Sequence, residues 1–364
     1  MRSLFMVALL LCASLSGCLG EDLLLTEDCS EFEATLREDD GVLRVLTYDI
    51  ASLSEEFLQD FTNETGIEVE LIRADDAGSI LEQVLLYGGA PQVDVALGLD
   101  GSYLPFAVNR CLIHLHGVDL TGLDGAVLEE GASLTDHGVP FDHGYICLNV
   151  DGAVVETMPT SLWNLTEDEW TGKVAIPSPL SSSPGRAFFL ATLQGLGDDA
   201  WSWWEAMLLN EPIITTGWSE AYEIHYSGGY GVWEEGHVGD AAATVSYCHS
   251  PGVEAYYSDN STQSTAIALP GAVYHQIEYG AVLAGAANTT AAEAFLAHLV
   301  SPEANAQMPY ENLMYSVLEG ADLPETNGYR HHSLVPEDAA AALGGMDVAT
   351  LEVMLATFSA LLEG

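Results

Sequence analysis

Two α/β lobes facing each other across a ligand cleft is the fold class this sequence predicts, and three observations carry the prediction. Segments rich in Val, Leu and Ile alternate with amphipathic segments twice, once before residue 100 and again from residue 174 onward. The strand-like segments of both halves run into short polar or aromatic clusters, where ligands of open α/β sheets bind. The chain has 364 residues and 48% hydrophobic content, enough for two cores of ordinary size.

The N-terminus reads as an export signal over residues 1–17: Met1, Arg2 and Ser3 precede an apolar core at 4–11, too short to span a bilayer. Leu15, Ser16, Gly17 and Cys18 resemble a lipobox, so Cys18 is expected to carry lipid and to anchor the chain on the outer face of the cell membrane. Residues 18–40, acidic and without a sustained period, read as a tether.

Charge excludes one class of partner. With 55 acids against 8 bases the formal net charge is −47, and such a surface repels nucleic acid and anionic lipid. The acids are dispersed (Glu55 and Glu56, residues 167–169, Glu234 and Glu235), the pattern of a solvated, salt-adapted surface. Beyond Cys18, Cys29, Cys111, Cys147 and Cys248 allow three disulfide pairings, and their spacing lacks the Cys-x-x-Cys of a structural zinc site.

Order is expected from residue 42. A buried strand at 42–47 leads into a helix at 55–65, with a capping pair at Ser52 and Glu55, an apolar face of Phe57, Leu58 and Phe61, and Gly66 as its stop. A strand at 67–72 precedes a helix at 77–87, where Ile80, Leu81, Val84 and Leu85 share a face, and a third strand follows at 93–97. The alternation returns with strands at 174–176, 213–216 and 242–245, a helix at 186–193 and another from Ser219. Residues 350–362 repeat apolar side chains at helical spacing, and Trp201, Trp203 and Trp204 within one helical stretch read as packing. Lobe 1 is expected over 41–140 plus about 265–305, and lobe 2 over 141–264 plus about 306–364.

Strand ends place the candidate ligand residues. In the first lobe they are Tyr48 with Asp49, Asp75 with Asp76, and Gly98 to Asp100. In the second they are the serine run ending in Ser182 and Ser183, then Gly217 with Trp218, then Ser246, Tyr247, Cys248, His249 and Ser250. Asp76 precedes a helix start and suits an N-cap as well as a ligand contact. Serine hydroxyls and free N–H groups at a helix start, with Arg186 close by, suit a phosphate or a polar ring. Trp218, after a glycine at a strand end, suits stacking.

At these clusters the sequence resembles the thiamine-binding proteins of bacterial and archaeal ABC importers. The stretches that carry the likeness are LTYD at 46–49, DDAGS at 75–79, DVALGLD at 94–100, PFDHGY at 140–145, SSPG at 182–185, TGWSEAY at 216–222, SY at 246–247 with SP at 250–251, and MY at 314–315. They keep their order over about 270 residues. The resemblance implies a two-lobed periplasmic-binding-protein-like (type II) fold, and a monomer that delivers thiamine, thiamine monophosphate or thiamine diphosphate to permease and ATPase subunits. It implies no catalytic residue, cofactor or metal. Position by position it assigns stacking to Tyr48 and Trp218, polar contact to Asp76 and Ala77, phosphate or hydroxyl contact to Ser182 and Ser183, and a cleft wall to Tyr247, Cys248, His249 and Ser250. The chain departs from the family pattern at Leu313, where relatives carry tryptophan, and at Val253, where they carry tyrosine.

Two rival readings follow from other residues. Gly217, Trp218 and Ser219 between a strand and a helix resemble a hydrolase nucleophile elbow, although Ala221 stands where that motif has glycine. Adjacent Tyr256 and Tyr257 suggest a ferric-iron site, but their place past the strand end favours the surface. His114 with His116, and His331 with His332, lack a third ligand and read as surface histidines.

Overall fold

The computed structural model describes residues 28–51, 53–229, 238–336 and 347–363. Strands β1 (Val42–Tyr48), β2 (Glu68–Ala74) and β3 (Val95–Asp100) pair in parallel, with β1 in the centre. Helices α1 (Glu55–Thr65) and α2 (Ala77–Tyr87) make the crossovers. Phe57 and Phe61 of α1 are buried as its spacing requires, and Gly66 ends it in the left-handed conformation that glycine adopts without strain. The cap of α1 is Ser54, which accepts from the Phe57 N–H, whereas the expected Ser52 lies outside the described residues.

A second parallel group joins β5 (Val174–Pro177) to β6 (Ile213–Thr215) and β7 (Ala243–Tyr247). Here α3 (Ser183–Leu196) and α4 (Ala200–Leu209) build the core: Trp203 and Trp204 are fully buried against Phe188 and Phe189. Their indole N–H groups donate to the Leu162 carbonyl and the Thr192 hydroxyl, both 2.9 Å away, so neither ring leaves a polar atom stranded. The C-terminal helix, Val348–Glu363, closes this core by inserting Phe358 against Trp204 at 4.9 Å. The helix expected from Ser219 is a π-helix, Glu220–His225.

The two parallel groups belong to one mixed sheet, because two long strands absent from the sequence reading lie between them. Strand order is β2-β1-β3-β9-β4-β7-β5-β6, with β4 (Val139–Asp151) and β9 (Tyr274–Val282) antiparallel. Residues 139–146 of β4 pair with β9, and residues 146–150 pair with β7, so Ile146 marks the change of partner between lobes. Strand β8 (Ser264–Ile267) pairs only with the distal half of β4, which puts the start of the expected 265–305 segment on lobe 2. Conversely β10 (Tyr315–Ser316) pairs with Asp142 and His143, so the final crossing falls after residue 316 rather than at about 306.

Disulfides join Cys29 to Cys111 and Cys147 to Cys248. The first corrects the expected tether. From Cys29 onward the chain lies on lobe 1, with the Thr35 N–H donating to Gly89, the Arg37 N–H to Gly285, and the Arg37 guanidinium paired with Asp94. The remainder of the expected tether, residues 18–27, lies outside the described residues, as do the signal and Cys18.

The Cys147–Cys248 bridge closes a sequence separation of 101 residues. Replacing both by alanine should lower unfolding free energy by about 2–5 kcal/mol, read by chemical denaturation followed through tryptophan fluorescence.

Candidate functional site

A cavity of about 440 Å³ opens where the carboxyl ends of β1, β2, β6 and β7 converge, as the loop rule predicts. Its wall contains eight of the ten expected ligand residues: Tyr48, Asp76, Ala77, Ser183, Trp218, Tyr247, His249 and Ser250. Ser182 and Cys248 are the exceptions. Ser182 is fully buried at the N-cap of α3, and Cys248 is buried in its disulfide behind the wall. Arg186 does not reach the cavity either. Its guanidinium lies 3.5 Å over the Tyr103 ring and donates to the Pro179 and Leu180 carbonyls.

Asp76 joins the lobes. Its carboxylate caps α2 through the Ala77 N–H at 2.7 Å and reaches across the cleft to the backbone N–H groups of Ser183, 3.4 Å away, and Trp218, 3.2 Å away. Part of the group faces the cavity, yet both lobes surround it, and lost hydration pushes its pKa up to about 6 against the pull of those N–H donors. Beside it the Gly78 N–H donates to the Ser181 carbonyl at 2.9 Å, and a side chain at 78 would meet that oxygen at 2.5 Å. Glycine is therefore required for this interlobe approach.

Trp218 forms one face of the cavity. Its indole N–H donates to Ser246 Oγ at 2.7 Å, and its ring stacks on Tyr222 at 4.8 Å. Tyr48 stands across from it, its ring filling the space above Gly98, where a Cβ would come within 2.3 Å.

The floor holds residues the sequence reading missed. Glu278 of β9 accepts from the hydroxyls of Tyr48 at 3.0 Å and Tyr247 at 3.4 Å, and from the Gln276 amide at 3.0 Å. Its cross-strand partner is the buried Asp142, held by Asn312, which donates to both Asp142 and the Tyr48 hydroxyl at 2.6 Å. Burial pushes both carboxyls up, and the nearby Asp142 charge adds to the rise at Glu278, so the pair retains a proton that two solvated carboxylates would release. Tyr257 and Tyr310 add rings at the rim. Tyr257 is four residues after Val253 on the helix Ser250–Tyr257, and Tyr310 is three before Leu313; all four line the cavity. The i, i+4 relation of 253 and 257 is the signal that would have found the first.

His249 is buried with Nε2 2.6 Å from the Leu313 carbonyl. That acceptor places the proton on Nε2 and leaves Nδ1, which has no protein partner, as an acceptor. Burial lowers its pKa to about 4, so the ring is neutral at pH 7. Ser219 also lines the cavity, but its hydroxyl points to Asp49, 3.5 Å away, and not to a histidine as a nucleophile elbow needs. Tyr257 is half exposed at the rim, and Tyr256 packs against Tyr310 and Tyr329. Among the described residues no three His, Cys, Asp or Glu side chains meet in a way that would hold a metal.

A two-lobed sheet with a closed-over cleft of this kind is the architecture of an extracellular solute-binding protein, and residues 56–317 match the family model described as bacterial extracellular solute-binding protein. The chain belongs to that family. It is 29% identical to the thiamine-binding periplasmic protein of Salmonella typhimurium over 261 residues, covering 72% of this chain and 75% of the relative. It is likewise 29% identical to the protein of that name from Escherichia coli over 257 residues, covering 71% and 74%. Among solved structures, a periplasmic thiamin binding protein superposes with a TM-score of 0.74 at 24% identity, covering 90% of this chain and 99% of that one. Iron-bound HitA from Pseudomonas aeruginosa shares the fold at a TM-score of 0.62 and 15% identity, covering 88% and 98%.

The raised carboxyls fix a sign for pH dependence. A folded pKa above the unfolded value gives stability that is present below about pH 4, where an unfolded carboxyl titrates, and is lost as pH rises through about 6 at Asp76 and beyond for the Asp142–Glu278 pair. The contribution of these carboxyls to the melting temperature should therefore fall across this window. In Glu278→Gln the fall should be shallower, measured by calorimetry at matched ionic strength.

Proposed function

We propose that this chain captures thiamine outside the cell and delivers it to an ABC importer. The observation that carries the reading is the cavity itself: aromatic rings at Tyr48, Trp218, Tyr257 and Tyr310 stand around a floor carboxyl, Glu278. A thiazolium cation gains from aromatic faces and from a nearby carboxyl, at about 0.5–2 kcal/mol per ring contact. The relatives named for thiamine supply the ligand by analogy.

Leu313 and Val253 remove two rings that the family pattern supplies, but Tyr310 and Tyr257 line the same cavity and compensate in aromatic area. Lipid on Cys18 would hold this monomer at the outer face of the membrane beside the permease and ATPase subunits. Ferric capture is the weaker reading, because only one phenol of the Tyr256–Tyr257 pair lines the cavity.

Calorimetry of the soluble chain should show binding of thiamine with Kd of about 1 μM or tighter, accompanied by a change in tryptophan fluorescence. Trp218→Ala should weaken it about 10-fold by removing the stack. Absence of heat with thiamine and both its phosphates, or a stronger response to ferric ion, would refute the assignment.

A further inference from the structure

Behind the cavity the lobes meet a second time, through residues that do not line it. Tyr103 follows β3 in lobe 1, and Arg186 lies in the first turn of α3 in lobe 2. The guanidinium stands 3.5 Å over the centre of the Tyr103 ring and 5.9 Å from that of Phe106, and one of its N–H groups points at the Ser102 carbonyl, 3.5 Å away. All three of these partners belong to lobe 1.

Each side of the contact is fixed by its own lobe. Arg186 Nε donates to the Pro179 carbonyl at 2.8 Å and Nη2 to the Leu180 carbonyl at 3.1 Å, so the loop ahead of α3 holds the planar fork and leaves a flat face for lobe 1. Tyr103 is fully buried, and its hydroxyl has no protein partner. A buried tyrosine ordinarily finds a partner for that hydroxyl. Here it is the face of the ring that makes the contact.

Arg186 is itself only 4% exposed, and a cation removed from water lies at the strong end of cation–ring attraction. Dissolved salt screens such a buried contact little. When the lobes swing apart about β4 and β9, the two loop carbonyls travel with Arg186, whereas Tyr103 and Ser102 leave with lobe 1. Opening therefore breaks the ring contact specifically. One turn earlier on the same helix the Ser183 N–H meets Asp76 at the cavity edge, so α3 is held to lobe 1 at two heights.

We propose that Arg186 and Tyr103 form an interlobe latch: positioning residues that hold the cleft walls together from behind the cavity. They set the population of the closed form, and with it the affinity and residence time of a ligand they never touch. The latch does not depend on which ligand the cleft takes.

Variants at Tyr103 separate a latch from ordinary core packing. Tyr103→Phe keeps the ring and removes only the unpaired hydroxyl, while Tyr103→Leu keeps an apolar side chain and removes the ring. Spin labels on Asp60→Cys in lobe 1 and Glu205→Cys in lobe 2, both exposed positions, report the interlobe distance of the ligand-free chain by pulsed electron paramagnetic resonance. Tyr103→Phe should match the wild type. Tyr103→Leu should lose closed population to longer distances, and should release thiamine about 5-fold faster in stopped-flow tryptophan fluorescence. An unchanged distance distribution in a folded Tyr103→Leu, checked by circular dichroism, overturns the latch. So does a Tyr103→Phe that opens as far as Tyr103→Leu. Should Tyr103→Leu fail to fold, Arg186→Met in the same labelled pair decides by the same populations. Silence toward thiamine removes the function proposed above but leaves the distance test to decide, since it uses no ligand.

Discussion

Everything in this molecule hangs on one strand having two sets of partners. β4 is antiparallel to β9 up to Ile146 and to β7 beyond it, so both lobes are parts of a single hydrogen-bonded sheet. A backbone ladder cannot be cut without leaving N–H and C=O groups unpaired, so relative movement of the lobes is confined to bending and twisting along β4, β9 and the final crossing after β10. The half-buried contact of His143 with His275, 2.8 Å between ring nitrogens, ties β4 to β9 near this point. The Ser316 carbonyl takes the other side of His143 at 3.2 Å, adding β10 to the same knot.

The cleft inherits its chemistry from that arrangement. Asp142 and Glu278 face each other because β4 and β9 are neighbours, and Glu278 lies at the cavity floor. The lobes then meet above them through a carboxylate of one and the peptide N–H groups of the other, an interaction that needs no cation. This economy matters in a chain with 55 acids and 8 bases. Its few arginines are spent on structure: Arg37 pins the N-terminal segment to Asp94, and Arg44 pairs with Asp40 and Glu70.

Local pattern revealed the parallel units and their loops. Helix α2 has the residues its periodicity predicts, and Asp76 reads as a cap from sequence because capping depends only on neighbours. Most of the cavity wall was legible for the same reason: it consists of loops at strand ends. The floor was not. Glu278, Gln276 and Asn312 acquire meaning only when β9 is placed between β3 and β4, a pairing set by contacts more than a hundred residues apart in sequence. Nor does proximity in sequence reveal direction, which is why Arg186 lies next to the serine run yet turns toward Tyr103. The same blindness applies to Cys248, where sequence allowed three pairings and the register of β4 with β7 brings Cys147 beside it.

The Cys147–Cys248 bond has a mechanical side. Cys147 sits one residue past the point where β4 changes partner, and Cys248 adjoins His249 in the cavity wall. A covalent strut of this kind makes wall and strand one mechanical unit, so the wall at His249 cannot shift without carrying the residue beside Ile146 with it.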